Sequence, residues 1–384
     1  MQLQLPEPSP DALAASHSLH QLIADDIDRN SGWISFARYM ELALYAPGLG
    51  YYSGGAAKLG KDGDFTTAPE ITPLFGAALA QVAAGLMAQT QPRILEFGAG
   101  TGKLAFDLLT EMQATGVAVE RYAIVELSGE LRARQQETLR AFPQVVWLEQ
   151  LPECFSGVVL GNEVLDAMPV NLLVKTSGGW LERGVALEAG KRFVFQDRPC
   201  DADPARQIPD AEALPEGYVT EVHPQAIGFM HSLGAMLSNG RNAGGAAILI
   251  DYGFPAHEYY HPQRSQGTLM CHYRHHAHPD PFYLPGLQDI TAHVDFTAMA
   301  QAAVDSGLEM MSYTGQAAFL LDAGIGELLL RTSPDDPRRY LPQANALQKL
   351  VSPAEMGELF KVMVVGKGAA LPDKFARHDR SHRL

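Results

Sequence analysis

The run Glu96-Phe97-Gly98-Ala99-Gly100-Thr101-Gly102 lies between the apolar pentapeptide RILEF and the amphipathic stretch KLAFDLLTEMQATG. Glycines tolerate positive φ and let a ligand approach the backbone, and a helix that begins directly afterwards offers unpaired N–H groups. A nucleotide-like ligand suits that chemistry. Two phosphate-binding spellings fail, however. The dinucleotide pattern G-x-G-x-x-G requires a third glycine where Lys103 stands, and a P-loop requires four residues between its first glycine and a Gly-Lys followed by Ser or Thr. Here three residues separate Gly98 from Gly102, and Leu104 follows Lys103. The next apolar stretch ends in Val125-Glu126-Leu127, where an α/β nucleotide fold places a carboxylate that accepts both ribose hydroxyls, so Glu126 is the expected ribose ligand. Glu96 is expected at the same ligand or as a brace of the loop. Cys271, His272, His275, His276 and His278 crowd one stretch, but no second ligand cluster at structural-zinc spacing accompanies them, so no metal is expected.

These residues need a scaffold. From Arg93 the chain alternates strand and helix: RILEF, then KLAFDLLTEMQATG, RYAIVEL, SGELRARQQETLRAF, QVVWLEQ and GVVLGNEV. Apolar runs separated by helices imply a parallel sheet buried on both faces. The helix AIGFMHSLGAMLSNG, the strand AAILIDYG and the helix in VDFTAMAQAAVDSG continue the pattern, and FKVMVVGKG closes it as a strand at the sheet edge. The expected fold class is α/β, a Rossmann-like sheet with a helical N-terminal extension over 1–60 and a β-rich insertion over 171–220. The α/β domain spans 61–370. The stretch DRPCDADPARQIPDAEALPEG reads as an exposed acidic loop, and 371–384 as a mobile basic tail.

Composition excludes several classes. The 384 residues carry 44 acidic and 29 basic side chains, a formal charge of −15, which repels a phosphate backbone and makes nucleic acid a poor partner. Three cysteines at wide spacing fit a reducing, cytoplasmic compartment, and the N-terminus lacks the basic start and apolar core of a secretory signal. Ile71 to Gln91 carries no charge, yet Thr72-Pro73 reads as an N-cap with proline at the first helical position, which predicts a buried helix rather than membrane insertion.

The spelling E-x-G-x-G-x-G matches the first motif of adenosylmethionine methyltransferases, whose ligand needs close backbone contact without a phosphate pocket. With GDFTTAPEITPLFG at 63–76, GNEVLDAMPV at 161–170, IDYG at 250–253 and DPFYLPGLQDITAHVDF at 280–296, the chain resembles the MidA family from about Gly48 to about Val365. That family comprises bacterial and mitochondrial methyltransferases, and the mitochondrial member assists respiratory complex I assembly. The resemblance implies a class I methyltransferase fold, in which the closing strand is the antiparallel seventh. It also implies S-adenosyl-L-methionine as cofactor and a protein partner, with an arginine as acceptor, on a complex I subunit in the case of the mitochondrial relative. In this reading Gly98, Gly100, Gly102, Glu96, Glu126 and Asn162 bind the cofactor, with Asp64 and Thr67 of GDFTTAPE closing over it. Glu163 and Asp166 hold the acceptor, because a protonated guanidinium taken out of water needs carboxylates to offset its desolvation. The stretch around Tyr273 and Arg274 is read as a loop lining the acceptor site, and Asp251 and Tyr252 face the cleft. Two other functions stay open at this point: a non-catalytic adenosylmethionine-binding assembly factor, and a methyltransferase acting on a small molecule.

Overall fold

Apolar runs between helices are expected to stack as parallel strands, and in one of the two units of the computed structural model they do. The structure describes residues 5–54, 67–200, 207–240 and 243–384. The sheet unit comprises Thr66–Leu165, Gly228–Gly253 and Met299–Leu384. Its strands are β1 (Arg93–Phe97), β2 (Arg121–Val125), β3 (Val145–Leu148), β4 (Ser156–Asn162), β5 (Gly244–Phe254), β6 (Glu309–Gly315) and β7 (Phe360–Lys367). They lie in the order β3-β2-β1-β4-β5-β7-β6. The first five are mutually parallel, and β7 runs antiparallel to both neighbours. Strand order reverses between β1 and β4, which opens a crevice at their carboxyl ends.

Ile94, Tyr122, Ile124, Val158, Leu160, Ile248 and Val364 are buried in one core with the helix Pro73–Met87. That helix is the uncharged stretch: the Thr72 hydroxyl accepts from the Leu74 N–H at 3.3 Å. Its small residues have a packing reason, since a Cβ on Gly76 would lie 2.7 Å from the Asp107 Cβ of the helix Lys103–Thr115. Among the described residues no helix is long and apolar enough to cross a membrane.

Two expectations change in this unit. The closing strand is not at the sheet edge, because β6, absent from the reading of the sequence, pairs along its outer side. The basic tail is docked rather than mobile. Leu371 and Phe375 are buried in the core, Asp379 accepts from the Tyr313 N–H at 2.8 Å, and the Arg380 N–H donates to the Tyr313 carbonyl at 2.6 Å.

The other unit comprises Met1–Phe65, Asp166–Ile227 and Phe254–Ala298, so the N-terminal extension and the insertion belong together rather than to separate stretches of a linear order. The helices Pro10–Arg29 and Phe36–Tyr45 pack Leu19, Ile23, Ile27, Tyr39 and Met40 against Leu172, Val185 and Phe193. The last three come from antiparallel strands Asn171–Thr176, Gly179–Glu188 and Arg192–Pro199, joined by Val219–Val222. Part of the expected acidic loop is anchored: Ile208 and Leu214 are buried beside Tyr218, and Lys175 donates to the Ala211 and Glu212 carbonyls. The Cys/His stretch is a hairpin of Met270–Tyr273 and His276–His278 rather than a loop, with Cys271 opposite His278.

Candidate functional site

The crevice at the strand reversal is lined by the residues that follow β1 and β4. The glycine loop leaves β1 with Gly98, Gly100 and Gly102 at φ +59°, +53° and +83°, a left-handed sequence that side-chain-bearing residues resist. Gly102 is also the N-cap of Lys103–Thr115, so the unpaired N–H groups of that helix begin where the loop ends. The Gly98 N–H is tied to the Val125 carbonyl at 3.1 Å, which fixes the loop against the end of β2.

Glu126 stands just beyond that strand. Its Oε1 accepts from the Ser128 N–H at 2.9 Å and its Oε2 from Gln135 at 2.8 Å. Burial raises its pKa, and hydrogen bonds from Ser128, Gln135 and the Leu127 backbone oppose the rise. A carboxylate offers about four lone-pair positions, so it keeps capacity to accept from a ligand. Gln135, fully buried, is the member that sequence reasoning missed. Its amide N–H donates both to the Gly100 carbonyl at 3.0 Å and to Glu126, and its Oε1 accepts from Trp147 at 2.9 Å. One side chain thus sets the spacing between glycine loop and carboxylate. Thr138 adds a bond to the Thr101 carbonyl at 3.0 Å. Leu127 beside them is 81% exposed, an apolar surface next to the carboxylate.

Glu96 stands in β1, two residues before the glycine loop. It is buried and accepts from the Tyr122 hydroxyl at 2.7 Å. Burial pushes its carboxyl up to about 7, the Tyr122 hydrogen bond pulling down and the Glu126 charge pushing up. The GDFTTAPE segment reaches the loop through Glu70, whose carboxylate accepts from the Thr101 hydroxyl. Thr67 caps the one-turn helix Ala68–Ile71 through its carbonyl, bonded to the Glu70 N–H at 3.0 Å. Asp64 lies outside the described residues.

At the end of β4, Asn162 donates to Glu163 Oε1 at 3.0 Å, and its own Oδ1 is buried without a hydrogen-bond partner. Glu163 has φ +54°, a conformation that costs a residue with a side chain roughly 1–2 kcal/mol. It is held there by its N–H bond to the Ile250 carbonyl at 2.8 Å. The buried Asp251 supports the same turn, accepting from the Leu165 N–H and the Tyr252 N–H, each at 2.9 Å. Asp251 therefore positions the β4 turn. Asp166 belongs to the other unit, buried with its carbonyl bonded to the Ala292 N–H at 3.1 Å. Near it Tyr52 donates to Asp289 at 3.0 Å, and the Asp289 and Asp166 charges both help burial to raise the Tyr52 pKa. In the hairpin, Arg274 and His275 form the turn with positive φ. Among the described residues no three His, Cys, Asp or Glu side chains are grouped to hold a metal.

A parallel sheet with a glycine loop after β1, a carboxylate after β2 and polar groups after β4 defines a Rossmann-like nucleoside-binding enzyme. Residues 74–314 match the family model described as S-adenosyl-L-methionine-dependent methyltransferase. The protein arginine methyltransferase NDUFAF7, mitochondrial, of Danio rerio is 30% identical over 90% of this chain and 86% of its own length. The Mus musculus protein of the same name is 30% identical over 86% and 80%. A crystal structure of a superfamily member from Burkholderia thailandensis bound to S-adenosyl-homocysteine is 55% identical, covers 99% of this chain and 100% of its own, and superposes with a TM-score of 0.94. The chain belongs to this S-adenosyl-L-methionine-dependent methyltransferase family.

Proposed function

We propose that the protein methylates an arginine side chain of a partner polypeptide. Support for a polypeptide acceptor comes from the relatives named as protein arginine methyltransferases. The observation that carries the reading within the chain is Glu163, a carboxylate held in left-handed backbone at the crevice.

The residues around the crevice fit the cofactor. In this account the glycine loop and Glu126 receive the nucleoside, Leu127 offers the base an apolar face, and the orphaned Asn162 Oδ1 accepts from a ligand N–H. Bound S-adenosyl-L-methionine supplies an electrophilic methyl on its sulfonium. Glu163 orients the guanidinium, offsets its desolvation and receives the proton released as the nitrogen gains its carbon. Fixing both reactants contributes roughly 7–11 kcal/mol through proximity and orientation. The compartment we assign is the cytoplasm, in keeping with Cys154, Cys200 and Cys271 all unbridged.

The test is incubation of the protein with lysate and methyl-labelled cofactor, followed by mass spectrometry to locate the label. Arginine is the expected site; label on a small metabolite alone overturns the acceptor assignment. Glu163→Gln should keep cofactor affinity and slow transfer roughly a hundredfold to several thousandfold, from an uncompensated charge of about 3–5 kcal/mol. If that variant loses cofactor affinity as well, Glu163 belongs to the donor side and its acceptor role falls. Normal turnover makes Glu163 a structural turn residue.

A further inference from the structure

A groove of about 540 Å³ opens around the loop that follows the helix Ala256–Tyr259, lined by Glu258, His261, Gln263, Arg264, Ser265 and Gln266. That volume suits a few residues of a peptide or one small molecule. Its arginine is held against an aromatic ring. The Arg264 guanidinium stacks over the Phe254 ring at 4.3 Å from the centroid, its Nε is buried with no hydrogen-bond partner, and no ion pair among the described residues includes it. A stacked guanidinium presents the remaining N–H groups of its fork edge-on, in the geometry that matches a carboxylate.

His261 adds a second donor. Its Nδ1 accepts from the Gln263 N–H at 3.2 Å, which in the neutral ring leaves the proton on Nε2. The loop is fixed by the Val219 N–H bond to the Ser265 carbonyl at 3.0 Å. At Gly267, with φ +73°, a Cβ would meet the buried Glu221 carboxylate at 2.4 Å.

From this arrangement we propose that the groove docks an acidic segment of a partner polypeptide. One carboxylate sits on Arg264 and His261, while Gln263, Ser265 and Gln266 pair with the segment's backbone amides. The polypeptide part rests on the proposed protein acceptor; the carboxylate part rests on the groove alone. A phosphate group, with up to two negative charges where a carboxylate has one, fits less well beside Glu258, which lines the same groove.

The test is fluorescence anisotropy with a fluorescein-labelled peptide of alternating glutamate and glycine, with succinate and inorganic phosphate as competitors. The full chain should bind the peptide. Arg264→Gln should weaken binding about tenfold or more, with S-adenosyl-L-methionine affinity unchanged as a check on folding. Glu258→Gln should tighten it severalfold, a gain that misfolding does not produce, and succinate should displace the peptide more readily than phosphate. Equal affinity in wild type and Arg264→Gln, no gain in Glu258→Gln, or displacement by phosphate as readily as by succinate overturns the proposal. The assay reads binding rather than methyl transfer, so its failure and that of the arginine assignment are seen separately.

Discussion

Gln135 joins the glycine loop, Glu126 and Trp147 through three hydrogen bonds. Replacing it by leucine leaves a buried carbonyl, a carboxylate oxygen and an indole N–H each short of a partner, at about 1–3 kcal/mol per group. We therefore expect Gln135→Leu to weaken cofactor binding about tenfold or more and to lower the melting temperature; unchanged affinity would remove Gln135 from the cradle. Glu96 carries a pH signature. Burial raises its carboxyl from 4.5 to about 7 in the folded chain, so protonation favours folding. The favourable contribution is full below pH 4.5 and is lost as the pH rises to about 7, a loss on the order of 3 kcal/mol. Glu96→Gln should match wild type in urea unfolding near pH 4.5 and be more stable at pH 8; a difference independent of pH would contradict the buried-carboxyl account. The places of the glycines after β1 and of Glu126 after β2 were legible because they are local, a loop and a strand end. Gln135 was not, since nothing in a polar helix marks the one amide that turns inward.

At the level of elements, β1 to β5 could be read from continuous apolar runs. β6 could not. Its inward positions include Ser312 and Thr314, both buried, and a bulge between Met310 and Ser312 breaks its register with β7, so neither alternation nor an apolar run announces it. Its outer edge is where the tail docks: Asp379 and Arg380 take up the N–H and carbonyl of Tyr313, and Arg380 pairs with Glu358 at 3.2 Å. A tail rich in basic residues reads as mobile unless its few anchors are known, and here the anchors include Phe375. Deleting residues 377–384 uncovers an edge strand, which invites pairing with another chain. The deletion variant should melt earlier and show concentration-dependent self-association in sedimentation velocity; a monomer of wild-type stability would show that the tail does not protect the edge.

For the whole molecule, the division into two units was the least legible feature. Each unit is assembled from three separated stretches, and contacts within the unit formed by residues 1–65, 166–227 and 254–298 leave no local trace in composition or periodicity. The helical extension and the β-rich insertion were each recognisable from their patterns, but not that they share one core. The sheet unit holds the glycine loop, Glu126, Gln135, Asn162 and Glu163, so the cofactor is expected to stabilise that unit by mass action, about 2.7 kcal/mol at a hundredfold excess over Kd.

Isothermal titration of S-adenosyl-L-methionine into the wild type and into Gly100→Val tests whether the glycine loop holds the cofactor. A branched side chain at φ +53° is strained and occupies space at the loop surface. The wild type should bind at one site, and the variant, with unchanged circular dichroism, at least about a hundredfold more weakly. Undiminished affinity in the folded variant would contradict binding at the loop.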